Sequence, residues 1–215
     1  MSIACTYRGV GYGFELPPGY RECEYLESTG TQWIETEIPA QINVKLQGKI
    51  QFPGWYTDNY FASLRADGGD TRYYLLNVNS NSGKGFACTK YIWTYASTDV
   101  RDEGVSVPVE FESYIGDTSC YIKVDSRMYE NNNVPAGVPT NKTIPLFGGK
   151  INNSDVVNAF PPRTRLWYAR LLVNDLLVRD FIPCLDYNGV PCMYDTISGQ
   201  AFYNQGTGTF NYKLK

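Results

Sequence analysis

Phe181-Ile182-Pro183-Cys184-Leu185-Asp186-Tyr187-Asn188-Gly189-Val190-Pro191-Cys192-Met193-Tyr194-Asp195 leads, through Thr196-Ile197-Ser198, into Gly199-Gln200-Ala201-Phe202-Tyr203-Asn204-Gln205-Gly206-Thr207-Gly208. Short apolar pieces alternate here with Asn188-Gly189, Ser198-Gly199 and Gly206-Thr207-Gly208. Gly and Asn reach the positive φ angles that tight hairpins demand, so the stretch predicts short strands joined by tight turns.

The same reading extends upstream. In residues 42–52, Ile42, Val44, Leu46, Ile50 and Phe52 alternate with Asn43, Lys45, Gln47, Lys49 and Gln51, the period-two pattern of a strand with one buried and one wet face. Residues 31–36 are the first clear strand. Further strands are predicted at 59–64, 73–78, 85–95, 107–114, 119–124, 143–147 and 163–173. Turn signals separate them, among them Asp67-Gly68-Gly69-Asp70, Gly116-Asp117 and Gly148-Gly149. No segment sustains a 3.6-residue apolar period. About a dozen strands in one chain imply two packed antiparallel sheets. Residues 1–20, with Gly9, Gly11, Gly13 and Pro17-Pro18, read as an irregular arm or attachment segment, and residues 21–215 as one domain.

Composition narrows the function. The net charge is −3 with Lys and Arg scattered, so no basic stripe exists for nucleic acid. No apolar run is long enough for a membrane helix. The N-terminus lacks the pattern of a secretory signal, so the expectation is a protein made in a cytoplasm and held there until release, or one whose signal has been removed. Six Cys are too few for a disulfide scaffold; Cys184 and Cys192 flank the Asn188-Gly189 turn and could face each other, but buried free thiols are the simpler reading. The absence of His excludes His-dependent triads and His-ligated metals.

The tail has a counterpart near the start: Leu16-Pro17-Pro18-Gly19-Tyr20, then Glu24-Tyr25-Leu26-Glu27-Ser28-Thr29-Gly30-Thr31-Gln32-Trp33-Ile34-Glu35-Thr36. Together they resemble the concanavalin A-like (laminin-G-like) β-sandwich modules of gut bacterial surface proteins and their phages. In between, Lys123-Val124-Asp125-Ser126, Ile144-Pro145-Leu146-Phe147-Gly148-Gly149 and Arg165-Leu166-Trp167-Tyr168-Ala169-Arg170-Leu171 resemble that family's successive strands, in order. Ser126 departs from the Gly usual at that turn. The resemblance runs from about Leu16 to Phe210. It implies an all-β, two-sheet antiparallel jelly-roll sandwich whose first and last strands lie side by side, and a binding or display role.

Several residue groups bear on chemistry. A retaining glycosidase needs two carboxyls about 5 Å apart, which alternate strand residues supply. Glu22/Glu24, Glu35/Glu37 and Glu110/Glu112 have that spacing, but each lacks a third acidic residue, and a solvated strand face explains them. Asp67 and Asp70 could place two carboxylates on one calcium ion, the only cofactor considered; a plain turn is the simpler reading. Asn141-Lys142-Thr143 and Asn152-Asn153-Ser154 match the glycosylation pattern without a signal to make it meaningful. For sugars, the candidates are Trp55, Tyr56, Asp58, Asn59 and Tyr60 in a loop, and Tyr91 and Trp93 on a strand, with Trp33 and Trp167 assigned to the core.

The expectation is a non-enzymatic, lectin-like recognition module. Its setting would be a phage virion surface, as a head or tail fibre or decoration protein beside other virion proteins, binding bacterial-surface or mucin glycans. It would form a homo-oligomer such as a trimer. A bacterial cell-surface adhesin module, a purely architectural coat protein and a glycoside hydrolase or lyase stand as alternatives.

Overall fold

The computed structural model describes residues 15–52, 59–65, 72–78, 86–90, 95–97, 107–137, 140–151, 157–159 and 163–215. Its strands are β1 (Arg21–Glu27), β2 (Ile34–Pro39), β3 (Val44–Gln51), β4 (Asn59–Arg65), β5 (Arg72–Val78) and β6 (Phe86–Lys90). These are followed by β7 (Tyr95–Ser97), β8 (Val109–Ile115), β9 (Cys120–Val124), β10 (Arg127–Asn131), β11 (Thr143–Leu146) and β12 (Gly148–Ile151). The last six are β13 (Val157–Ala159), β14 (Arg165–Val173), β15 (Leu176–Leu185), β16 (Pro191–Asp195), β17 (Gln200–Tyr203) and β18 (Asn211–Leu214). Among the described residues no helix is long and apolar enough to cross a membrane.

The alternation in β3 does what its pattern demands. Val44, Leu46 and Ile50 are fully buried, while Lys45, Gln47 and Lys49 stay on the outer face. β3 is central in a ten-stranded sheet ordered β10-β9-β8-β3-β14-β1-β15-β16-β17, with β18 paired to β1. The first and last strands therefore lie side by side, as a jelly roll requires. A six-stranded sheet, β13-β12-β4-β5-β6-β7, and the pair β11-β2 complete the fold. Among the described residues every strand pairing is antiparallel except β12 on β4. The layers enclose a main core in which Leu46, Ile50, Phe111, Ile122 and Leu171 of the large sheet join Phe61, Leu64, Tyr73, Leu75 and Phe147. Each such side chain contributes about 1.5–3 kcal/mol of transfer free energy.

Three sequence expectations change. β1 is a strand that the sequence does not announce: Arg21, Glu22, Glu24 and Glu27 make it highly charged, and a register shift between Cys23 and Tyr25 breaks its period. Residues 85–95 are not one strand: β6 and β7 pair antiparallel, with Thr89 opposite Tyr95. Gly148-Gly149, read as a turn, opens β12.

Lys150 of β12 is only 4% exposed, and its ammonium is paired with Glu35 of β2 and bonded to Thr143 Oγ1 at 2.7 Å. It also lies 5.7 Å from the Trp33 ring. Removing the carboxylate alone strands a buried cation, so Glu35→Ala is expected to cost about 2 kcal/mol, discounted because Glu35 is partly exposed. Lys150→Met, which removes the buried charge itself, is expected to be close to neutral. Thermal unfolding of both variants checks the order; equal losses would mean that the pair acts by packing alone.

Candidate functional site

β14 carries the feature that builds the site. Against β3, Leu166 faces Ile50 and Tyr168 faces Lys49, so Trp167 is an extra residue in the ladder. Such a bulge breaks the alternation. Leu166 and Ala169 are buried, and the two residues between them, Trp167 and Tyr168, are half-buried and both line the outer face. The partner strand makes room with Gly48, where a Cβ would sit 2.8 Å from the Tyr168 carbonyl oxygen and 2.9 Å from Phe111 Cε1.

The bulge coincides with a fork in the sheet. β14 and β15 are joined through Asn174-Asp175, both at positive φ (49° and 63°), as a type I′ hairpin requires. They stay paired as far as Ala169 and Phe181, then diverge, and β1 enters the gap, pairing with β14 at Leu26 and Glu27 and with β15 at Arg21 and Glu22. A depression of about 850 Å3 lies at this fork, lined by Glu24, Lys49, Glu110, Trp167, Tyr168 and Asp180 among others.

Its walls are aromatic and its rim is charged. Tyr20, Trp167 and Tyr168 line it, and the Trp167 ring is backed by Tyr25 of β1, 5.1 Å away and tilted by 54°. Arg165 lies 4.9 Å over Tyr25, Lys49 5.8 Å over Trp167 and Arg170 5.2 Å over Tyr168. Arg170 Nε donates to Asp180 at 3.0 Å. Tyr168 donates its hydroxyl to Glu110, and burial followed by that bond raises its phenol above the ordinary range. Lys213, bonded to Glu24 at 2.6 Å, lowers that carboxyl, helped by the Trp167 indole.

The depression continues along β8. A second hollow of about 230 Å3 shares Glu110, Tyr168 and Arg170 and adds Gln47, Glu112 and Lys123. Glu112 accepts from Gln47 and, at 2.6 Å, from the Tyr121 hydroxyl. Tyr121 stacks on Tyr114 at 5.2 Å, and the two line a third hollow of about 380 Å3 with Asn43, Lys45, Asn174 and Asp175. The outer face thus presents a line of rings flanked by carboxylates, amides and cations. Such a surface can pack the C–H faces of a polar ring and bond its hydroxyls.

Glu110 and Glu112 do share this face, and each is engaged by donors of the chain itself. Trp167 and Trp33, assigned to the core by sequence, are both half-buried: the bulge turns the first outward, and the second lies beneath Lys150. Trp55, Tyr56, Asp58, Asp67, Asp70, Tyr91 and Trp93 lie outside the described residues. Asn59 and Tyr60 open β4, opposite Val78 and Asn77, in the six-stranded sheet and not in the one that carries the groove. Among the described residues no three His, Cys, Asp or Glu are grouped to hold a metal ion. Tyr25, Tyr168 and Arg170 are not among the residues that the sequence singles out, and Trp167 is there only as a core residue; the adjacent rings of Trp167 and Tyr168 are the available signal.

No family model and no curated protein matches the chain. The solved structure of the mouse laminin alpha1 chain, domains LG4-5, is similar over 74% of this chain and 44% of that one, with 12% sequence identity and a TM-score of 0.48. The chain spans less than half of that structure, and a likeness of this degree says nothing about ligands.

Proposed function

We propose that this protein is a non-enzymatic recognition module that holds a glycan along the outer face of its ten-stranded sheet. The observation that carries this reading is the bulge that sets Trp167 and Tyr168 side by side at the mouth of an open, polar-rimmed depression. Binding is favoured over hydrolysis because Glu110 and Glu112 already accept hydrogen bonds from Tyr168, Gln47 and Tyr121. The setting we favour comes from the resemblance of the terminal blocks: display on a phage particle, where many copies make weak single sites effective. A bacterial surface adhesin would use the same groove.

The test is a screen of the purified protein, clustered on beads, against bacterial polysaccharides and mucin glycans, with calcium and with a chelator. Trp167→Ala is expected to weaken binding about tenfold or more, the loss of a central aromatic contact. Tyr168→Phe keeps the ring and is expected to bind within about threefold of the parent. Equal binding by Trp167→Ala would remove the groove from the account. Failure of the parent to bind any glycan would leave an architectural role, and release of reducing ends would make it a hydrolase.

A further inference from the structure

Cys184 of β15 and Cys192 of β16 face each other in register, both fully buried, with their Sγ atoms 3.4 Å apart and unbonded. The flanking pairs are Leu185 with Pro191 and Pro183 with Met193. A proline has no N–H for the ladder, so both flanking pairs are non-hydrogen-bonded sites, and Cys184 and Cys192 occupy the hydrogen-bonded site between them. Opposed residues at such a site have Cα atoms about 5.5 Å apart, inside the range of roughly 4.4–6.8 Å that a disulfide spans.

We propose that Cys184 and Cys192 form a reversible dithiol–disulfide couple that staples the β15–β16 hairpin when the protein passes from reducing to oxidising surroundings. The oxidant is a low-molecular-weight disulfide. One thiolate attacks it, forms a mixed disulfide and releases one small thiol; the second cysteine displaces the other. One Sγ–Sγ bond forms, the oxidant's S–S bond breaks, and the two cysteine protons end on the two small thiols.

The surroundings support this pair over Cys88 and Cys120. Cys184, Cys192 and Tyr194 form a small cluster of their own, covered by Leu16, Tyr20, Ile182 and Ala201. The two thiols thus belong to this satellite cluster and not to the main core, to which the same hairpin gives Phe181 and Met193. Cys88 and Cys120 lie on opposite sheets, and the Cys88 thiol is directed to the Tyr121 carbonyl at 3.1 Å. The contact with Cys192, together with burial, raises the Cys184 thiol, so oxidation is slow and waits on opening of the cover. The inference does not depend on what the groove binds.

The full chain, purified reduced, is incubated with oxidised glutathione, then alkylated, digested without reductant and mapped by mass spectrometry. The expected product lacks two hydrogens, joins the peptides of Cys184 and Cys192, and unfolds roughly 5–10 °C higher. Dithiothreitol reverses all three changes, and Cys192→Ser abolishes them while Cys88→Ser does not. If Cys192→Ser fails to fold, the peptide map of the parent decides. A full complement of free thiols after oxidation, or a linkage to Cys23 or any other cysteine, overturns the couple. A 184–192 bond that leaves the midpoint unchanged overturns the stapling role.

Discussion

Gly206→Ala is expected to lower the free energy of unfolding by about 3–5 kcal/mol, the sum of an unrelievable clash and broken hydrogen bonds. A Cβ at position 206 would stand 1.9 Å from the Thr31 carbonyl oxygen and 3.0 Å from Trp33 Cδ1. The first is backbone and cannot swing aside. It is also tied down, since Thr31 O accepts from Thr207 N at 3.2 Å and Trp33 O from Gln205 N at 2.9 Å. Side chains lock the same contact: Thr31 Oγ1 and Gln32 Nε2 both donate to Thr207 O, at 2.6 and 2.8 Å, and Trp33 N donates to Asn204 at 3.2 Å. Relieving the methyl group means separating residues 204–208 from residues 31–33 and giving up several of these bonds. Urea unfolding followed by Trp fluorescence measures the loss as a lower midpoint at constant slope. Gly189→Ala is the control. Its Cβ meets nothing within 4 Å, so only the left-handed backbone (φ +79°) is penalised, by about 1 kcal/mol. Similar losses in the two variants would mean that the 204–208 segment relaxes freely and the clasp is weak.

That clasp also explains what could be read from the chain. The Ser28–Gln32 block and the Gly206-Thr207-Gly208 turn were each conspicuous in sequence. Their separation of some 175 positions hid that one holds the other through Gln32, whose side chain also accepts from Ser28 and Thr29. The tail was legible because its signals are local: Gly189 and Gly199 sit at φ 79° and 72°, and the strands between them pair in the register those turns fix. β3 was legible because its period is unbroken. The candidate groove was not, because a bulge is settled between strands. Trp167 and Tyr168 turn outward together because β3 offers Gly48 opposite them and because β1 inserts at the fork, and neither fact is local to residues 165–170. Strict alternation along β14 would send one of the two rings inward, and the core expectation for Trp167, which rests on its place in a strong strand, does not allow for a bulge.

Asp195→Ala is expected to cost about 4–5 kcal/mol, because it orphans donors that nothing else can satisfy. The Asp195 carboxylate is fully buried and accepts from the backbone N–H groups of Asp180 (2.7 Å), Ile197 (3.2 Å) and Ser198 (3.1 Å). Arg179 adds its charge at 3.7 Å. Asp195→Asn keeps the shape and one acceptor oxygen but loses the charge, so roughly half that cost is expected. The milder variant makes the test reach the groove. Asp180 takes its backbone anchor from Asp195 and uses its own carboxylate to hold Arg170, which lies over Tyr168. If the groove is the binding site, Asp195→Asn, though buried beneath it, should weaken glycan binding by about threefold while remaining folded. A variant that loses stability and binds unchanged would confine Asp195 to the β16–β17 turn. One that keeps its stability would show that the backbone bonds of Thr196 to Asp180 and of Gly199 to Asp195, both 2.9 Å, carry that turn by themselves.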